Sequence, residues 1–190
     1  NVPCGDSVDM MTLTINPEPT PSISGSTEVC EFENGVAYST PDVVGNTYNW
    51  VVTGGLITTG QGTNQITVAW GLSGTGTVTL TETISATGCF VTTPAYNVTI
   101  NPLPNVFNVT GGGSYCAGGT GVDVGLFGSE IGVDYQLQLN NVDFGLPVAG
   151  TGNALTWSNQ TDAGTYTIIA TNTTTSCVDT MSGNANIVIN

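Results

Sequence analysis

The side chains of this sequence that could do chemistry are cysteines and carboxylates, because its 190 residues include no lysine, arginine or histidine. Five cysteines stand beside 14 aspartates and glutamates, and the formal net charge is −14 at pH 7. Without these bases the chain cannot form a Ser-His-Asp triad, a histidine zinc site or a lysine-containing phosphate loop. Paired carboxylates, as in glycosidases, remain. The acids are scattered along the chain with no obvious cleft to pair them, so we expect no enzymatic activity.

The charge balance also restricts the possible partners. Nucleic-acid binding requires lysine or arginine to displace counterions from phosphates, and docking to an anionic membrane surface requires the same residues. The sequence contains no apolar run long enough to span a bilayer. We therefore expect no nucleic-acid partner and no membrane insertion. Solubility depends instead on hydroxyls and amides, since 32 residues are threonine.

The cysteines recur at a nearly fixed interval. Cys4, Cys89 and Cys177 follow one another at 85 and 88 residues, and Cys30 and Cys116 are 86 residues apart. Self-similarity at a fixed period is the signature of an array of domains. It predicts a preceding repeat's last strand with its linker at 1–19, and complete repeats at 20–104 and 105–190. The chain would then be a fragment of a much longer secreted polypeptide.

The predicted linkers are rich in proline. Asn16-Pro17-Glu18-Pro19 ends the first segment, and Asn101-Pro102-Leu103-Pro104 ends the first complete repeat. Two prolines in four residues fix φ and favour an extended, semi-rigid spacer. We therefore expect the repeats to lie end to end in a rod.

Within each repeat, apolar residues alternate with threonine and asparagine, which predicts an all-β fold. About seven short strands in roughly 85 residues are typical of a two-sheet, immunoglobulin-like β-sandwich. Trp50, Trp70 and Trp157 could stack on sugars, but their inward parity favours core packing. The predicted core-facing sets are Tyr48/Trp50/Val52, Ile66/Val68/Trp70, Val78/Leu80/Ile84, Tyr96/Val98/Ile100, Tyr135/Leu137/Leu139, Leu155/Trp157, Tyr166/Ile168/Ala170 and Ile187/Ile189.

One segment of the second repeat resembles a known element of such sandwiches. Asp162-Ala163-Gly164-Thr165-Tyr166 is similar to the Asp-x-Gly-x-Tyr corner, in which a tyrosine hydroxyl binds nearby backbone at the start of a strand. Val78 stands at the corresponding place in the first repeat. We expect the corner in the second repeat only.

Cysteines in an acidic, extracellular array are typical of disulfides. Each complete repeat holds two, so we expect the bonds Cys30–Cys89 and Cys116–Cys177, each fastening one end of its own sandwich. Cys4 would be unpaired within the chain, with its partner upstream. A thiol or metal cluster is the alternative, but no Cys-x-x-Cys spacing supports it.

Three glutamates surround the first cysteine of the first repeat. Glu28, Glu31 and Glu33 could hold Ca²⁺ at a joint between repeats, because hard cations prefer carboxylate oxygens. A solvated acidic edge is the alternative, and no Asp-x-Asp loop is present. We expect no other cofactor.

The two repeats resemble a known class. Tyr48-Asn49-Trp50 followed by 60–68 is similar to the PKD-like, immunoglobulin-like repeats of secreted Bacteroidota proteins, and 113–119 with 159–166 resembles their companion repeat. The resemblance covers essentially the whole chain and includes the giant adhesins of gliding motility, exported by the type IX secretion system. It implies a cell-surface filament whose partners are neighbouring repeats and extracellular polysaccharide or substratum. Such repeats also act as spacers in secreted hydrolases, and a carbohydrate-binding module is a third possibility.

The same resemblance implies two modification sites. Secreted Bacteroidota proteins carry O-glycans at Asp-Ser/Thr followed by a small apolar residue, which Asp6-Ser7-Val8 and Asp179-Thr180-Met181 resemble. Ser7 and Thr180 both lie three residues after a late cysteine of a repeat. We expect glycans on both hydroxyls.

The first segment contains a strand without a sandwich of its own. Met11, Leu13 and Ile15 share one face, and an isolated strand leaves apolar side chains and backbone groups unsatisfied. We expect it to complete an upstream repeat or, failing that, to insert into a neighbouring chain as a donor strand.

Overall fold

The computed structural model describes residues 12–190, and within them the regular structure is strand without helix. Short extended segments separated by glycine and asparagine turns account for this pattern. The strands are β1 (Ser24–Gly25), β2 (Glu28–Cys30), β3 (Val36–Ser39), β4 (Asn46–Thr53), β5 (Gly55–Thr59), β6 (Gln65–Trp70), β7 (Gly74–Ile84), β8 (Phe90–Thr92), β9 (Tyr96–Asn101), β10 (Val109–Gly111), β11 (Gly113–Tyr115), β12 (Val122–Leu126), β13 (Val133–Leu139), β14 (Val142–Asp143), β15 (Val148–Ala149), β16 (Leu155–Gln160), β17 (Gly164–Asn172), β18 (Val178–Thr180) and β19 (Ala185–Ile189).

The first nine strands form one β-sandwich. One sheet has the order β1-β3-β6-β5, and the other has the order β2-β9-β7-β4 with β8 paired to β7. Pairing is antiparallel except between β2 and β9, which run parallel. The buried apolar side chains between the sheets form a single cluster: Val29, Tyr38, Tyr48, Trp50, Ile66, Val68, Trp70, Val78, Leu80, Val98 and Ile100.

The remaining strands form a second β-sandwich with the same plan. Its sheets have the orders β10-β12-β16 and β11-β19-β17-β13-β14, with β15 on β13 and β18 on β17. A separate cluster fills it: Val124, Leu126, Val133, Tyr135, Leu137, Leu155, Tyr166, Ile168, Ala170, Met181, Ala185 and Ile187. Residues 102–108 connect the two, and no named strand of one sandwich pairs with the other among the described residues. The chain is therefore a tandem of two immunoglobulin-like sandwiches.

A tyrosine fixes the same loop in both sandwiches. The Tyr48 hydroxyl accepts a hydrogen bond from Val43 N at 2.7 Å, and the Tyr135 hydroxyl accepts one from Glu130 N at 2.9 Å. Each tyrosine lies five residues after its donor and is buried. A buried hydroxyl requires such a partner. The shared bond aligns Tyr48 of the first repeat with Tyr135 of the second.

Burial confirms most of the predicted inward faces. Trp50 and Trp70 are 2% and 3% exposed, so neither can stack on a sugar, and the Trp50 indole N–H donates to Thr63 O at 2.8 Å. Trp157 is half-buried and packs against the second core. One predicted position is wrong, because Ile189 is 42% exposed. It is the last residue of β19 and lies opposite Tyr115 of β11.

The predicted tyrosine corner is confirmed. The Tyr166 hydroxyl donates to Asp162 O at 2.8 Å, and burial raises the pKa of this phenol above its usual value of 10.0. Val78 occupies the corresponding position in the first repeat and is fully buried. The two repeats therefore differ in how the strand after the corner begins.

Replacing Tyr166 with phenylalanine should destabilise the second repeat by about 1 kcal/mol, since it removes one hydrogen bond and leaves Asp162 O without it. Chemical denaturation followed by repeat-specific NMR signals measures the change. The first repeat, which has Val78 instead, is the internal control and should unfold at the same denaturant concentration as before. Equal shifts in both repeats would contradict a local corner.

Residues 12–16, at the predicted orphan strand, form no strand with the rest of the described chain. Leu13 is 80% exposed and Ile15 is 86% exposed. Met11 lies outside the described residues. The apolar face of this segment is uncovered here, and its pairing with an upstream repeat or a neighbouring chain stays a prediction.

Candidate functional site: the joint between the repeats

Strand direction places the two cysteines of each repeat at opposite ends of the sandwich. Cys30 ends β2, which runs parallel to β9, and it lies opposite Asn101, where the chain leaves the first repeat. β7 runs antiparallel to β9, with Gly74 opposite Ile100. The far end of β7 therefore lies where the chain enters the repeat. Cys89 lies at that end, since Ile84 N donates to Cys89 O at 2.9 Å.

This geometry rules out the bond predicted within the first repeat. Ten residue steps of β7 separate its two ends, which is about 33 Å at ~3.3 Å per residue. Disulfide-bonded cysteines have Cα atoms less than about 7 Å apart. Cys30 and Cys89 are thus too distant to be bonded in the folded repeat.

The structure corrects the predicted pairing. Cys30 is bonded to Cys177 with an S–S distance of 2.05 Å and a Cα–Cα distance of 5.6 Å, across 147 residues. Neither Cys30–Cys89 nor Cys116–Cys177 is formed, and Cys89 and Cys116 are free thiols, half-buried and exposed respectively. Cys4 lies outside the described residues. The regular cysteine spacing is compatible with bonds within repeats and with bonds between repeats. The strand directions favour a bond between repeats.

The bond connects the two repeats at their joint, because Cys177 lies at the entry end of the second repeat. It follows β17, and Asn172 N donates to Cys177 O at 2.9 Å. Its side chain is fully buried. A cleft of about 590 Å³ lies beside the bond, lined by 28–33, Asn101 and Leu103 of the first repeat and linker and by Thr175, Ser176 and Val178 of the second repeat.

A carboxylate from each repeat binds the linker. Glu31 accepts hydrogen bonds from Leu103 N at 3.1 Å and Ser73 N at 3.0 Å. Glu130 accepts from Asn105 N at 2.7 Å and from the Asn105 side-chain amide at 2.5 Å. Pro102 and Pro104 have no N–H to donate. Both repeats therefore hold the linker, through the N–H groups of Leu103 and Asn105.

The three glutamates that could hold calcium or form a solvated acidic edge lie around this joint. Glu33 accepts a hydrogen bond from Cys30 N at 2.8 Å, and Glu31 binds the linker as described. Glu28 lines the cleft. Within residues 12–190 no three His, Cys, Asp or Glu side chains come together to hold a metal ion. Two of the three carboxylates thus bind backbone N–H groups, a role that the sequence did not indicate.

The joint should loosen in acid. The N–H groups of Leu103 and then Ser73 lower the pKa of Glu31 below its usual 4.5. A carboxyl with a lowered pKa stabilises the fold above its unfolded pKa, and this contribution is lost as the pH falls through the folded pKa. We expect the Leu103 amide resonance to titrate below pH 4.5 and to be insensitive there in Glu31→Gln. An unchanged titration in that variant would contradict the contact.

The predicted glycosylation sites are partly placed. Thr180 is exposed and ends β18, an edge strand that pairs with β17 only. A bulky glycan there would displace no core side chain. Ser7 lies outside the described residues. Glycans on Ser7 and Thr180 stay a prediction that intact-mass measurement of native protein would check.

Two residues of the joint were missed by sequence reasoning. Glu130 is a lone acid three residues before β13, and no local pattern marks it as a linker ligand. Asn105 follows the second proline of the linker and carries no signal beyond its polarity.

No helix within the described residues is long and apolar enough to cross a membrane.

Comparison with known proteins supports the class of fold. The family model of a PKD-like domain matches residues 16–98. The first repeat is similar to a PKD-like domain. No curated protein matches the chain.

Several solved structures align with the chain at low identity. The fibronectin(III)-like modules of Clostridium thermocellum CbhA are 11% identical, with 90% of this chain and 95% of that chain covered and a TM-score of 0.43. The Bacteroides ovatus glucan-utilization protein SGBP-B, solved with a mixed-linkage heptasaccharide, is 14% identical, with 90% and 48% covered and a TM-score of 0.33. The Yersinia pseudotuberculosis adhesin InvE is 14% identical, with 88% and 58% covered and a TM-score of 0.31. Likenesses at this level fix neither a subfamily nor a function.

Proposed function

We propose that this chain is a non-enzymatic segment of an extracellular cell-surface filament, built from tandem sandwiches and used for attachment. The observation that carries the proposal is the disulfide joint, because Cys30–Cys177 ties consecutive repeats to each other outside the linker. A catalytic or small-ligand domain does not need such a bond. A load-bearing array gains from it, since tension along the chain is shared between the linker and the bond.

The surface chemistry fits the same role. Disulfides persist in oxidising, extracellular surroundings. The chain has no lysine or arginine, so it offers no cleavage site to trypsin-like proteases. The sequence resemblance to type IX-secreted gliding adhesins adds a specific form of this proposal, in which extracellular polysaccharide or substratum is the partner and the repeats lie end to end in a rod.

Surface labelling tests the proposal. Antibodies raised against residues 20–190 should label intact cells of the source along extended filaments, and their Fab fragments should reduce attachment to the substratum several-fold. Fab fragments that bind the denatured chain only are the matched control. Labelling confined to a soluble hydrolase in the medium would contradict the filament and support a spacer instead.

A glycan array tests the remaining alternative, which is a carbohydrate-binding module. Binding of one class of oligosaccharide by the purified chain would support a carbohydrate-binding module. The buried indoles of Trp50 and Trp70 offer no stacking surface for one. We expect no binding by the isolated pair of repeats.

A further inference from the structure

Cys116 occupies in the second repeat the position that Cys30 occupies in the first. Glu31 N, directly after Cys30, donates to Asn101 O at 2.9 Å. Ala117 N, directly after Cys116, donates to Asn190 O at 3.1 Å. Both cysteines therefore lie beside the last strand at the exit end of their sandwich.

Cys89 likewise occupies the position of Cys177. The carbonyl of each accepts a 2.9 Å hydrogen bond, from Ile84 N in the first repeat and from Asn172 N in the second. The N–H groups of the two cysteines donate to Thr87 Oγ1 at 3.3 Å and to Thr175 Oγ1 at 3.4 Å. Cys89 is thus presented at the entry end of the first repeat as Cys177 is at the joint.

From these equivalences we propose that Cys89 and Cys116 each form a disulfide bond with a cysteine of an adjoining repeat. The early cysteine of each repeat bonds to the late cysteine of the next, so that Cys116 takes a late cysteine of a following repeat and Cys89 takes an early cysteine of a preceding one. The proposal rests on the proposed function in one respect, since it requires that the array continues on both sides.

The entry end of the first repeat has further features of a joint. Its linker, Asn16-Pro17-Glu18-Pro19, has the pattern of the linker that precedes the second repeat. Phe90 follows Cys89 as Val178 follows Cys177, and Val178 lines the cleft of the observed joint. Phe90 is 64% exposed. Val178 is 50% exposed at the observed joint, so Phe90 is the more exposed of these two equivalent side chains.

A second apolar side chain is uncovered at the same end. Val44 is fully exposed and lines a cleft of about 440 Å³ together with Glu18, Pro19 and Ile84. The incoming linker and the far end of β7 thus meet there. Contact with a preceding repeat would cover this surface.

The bond-forming step balances as a two-electron oxidation. Each thiol loses its proton, an S–S bond forms between the two sulfurs, and two electrons pass to a second disulfide. That oxidant is a thiol–disulfide oxidoreductase in its disulfide form, or glutathione disulfide in the test tube, and it leaves as two thiols. No other bond in the chain changes.

A concatemer made from this sequence alone tests the proposal. Residues 1–190 followed directly by residues 17–190 place Asn190 before Pro17-Glu18-Pro19, which recreates the linker pattern at a new joint. After oxidation by glutathione disulfide, mass spectrometry of the non-reduced monomer should find a Cys116–Cys89 peptide. The single chain, treated identically, should contain no such peptide, and both of these thiols should react with iodoacetamide.

Two controls make the outcome decisive. Cys116→Ser in the first copy should remove the new peptide and leave Cys30–Cys177 in both copies, which reports that the repeats are folded. Free Cys116 and Cys89 at the new joint, or a Cys4–Cys89 bond, would overturn the proposal. So would loss of the Cys30–Cys177 peptide. The result does not depend on adhesion, so a failure here is distinguishable from a failure of the surface-labelling test.

Discussion

Replacing Cys177 with serine should be the most destabilising change at the joint, with an expected loss of about 5 kcal/mol in the chain-entropy description. The Cys30–Cys177 bond closes a loop of 147 residues that includes most of both sandwiches. Without it the unfolded chain gains the conformations that the loop excluded. Guanidinium denaturation monitored by tryptophan fluorescence measures the summed free energy of unfolding.

Cys116→Ser is the matched control for this prediction. Cys116 is an exposed free thiol in the isolated chain, so its replacement should change the free energy of unfolding by less than about 0.5 kcal/mol. Reduction of the unaltered chain should reproduce the Cys177→Ser result. Equal stability of the two serine variants would show that the bond does not restrain the folded tandem.

Replacing Trp50 with alanine should cost the first repeat about 3 to 5 kcal/mol, the usual range for deleting a buried tryptophan. The side chain is 2% exposed at the centre of the first core, and its indole N–H binds Thr63 O. The second repeat has its own core and should retain its native NMR spectrum. Thermal melting followed by circular dichroism should therefore separate into two transitions.

Val51→Ala controls for effects on the strand itself. Val51 neighbours Trp50 on β4 but points to the other face and is 53% exposed, so its truncation should cost less than about 1 kcal/mol. Comparable losses from the two substitutions would contradict the assignment of the buried face.

The faces of the strands could be predicted from the sequence because a strand has a side-chain period of two. The alternation of Ile66, Val68 and Trp70 with threonine and alanine identifies the buried side of β6 without knowledge of its partners. The corner at Tyr166 could be predicted for a similar reason, since the acceptor lies only four residues away. Local geometry was sufficient in both cases.

The joint could not be predicted in this way, because it depends on which ends of distant strands meet. Cysteine spacing is the same for bonds within and between repeats, and the parallel pairing of β2 with β9 is what sends Cys30 to the exit end. The linker contacts of Glu31 and Glu130 follow from the same meeting of the two repeats. None of these interactions has a local sequence signal.

The disulfide map of the purified chain tests the central claim most directly. Digestion without reduction by a glutamate-specific protease and chymotrypsin places Cys30 on the short peptide 29–31 and separates Cys89, Cys116 and Cys177 from one another. We expect a Cys30–Cys177 peptide, with Cys89 and Cys116 recovered as alkylated thiols. Recovery of Cys30–Cys89 together with Cys116–Cys177 would contradict it, because each repeat would then be closed on itself and the joint would be held by the linker alone.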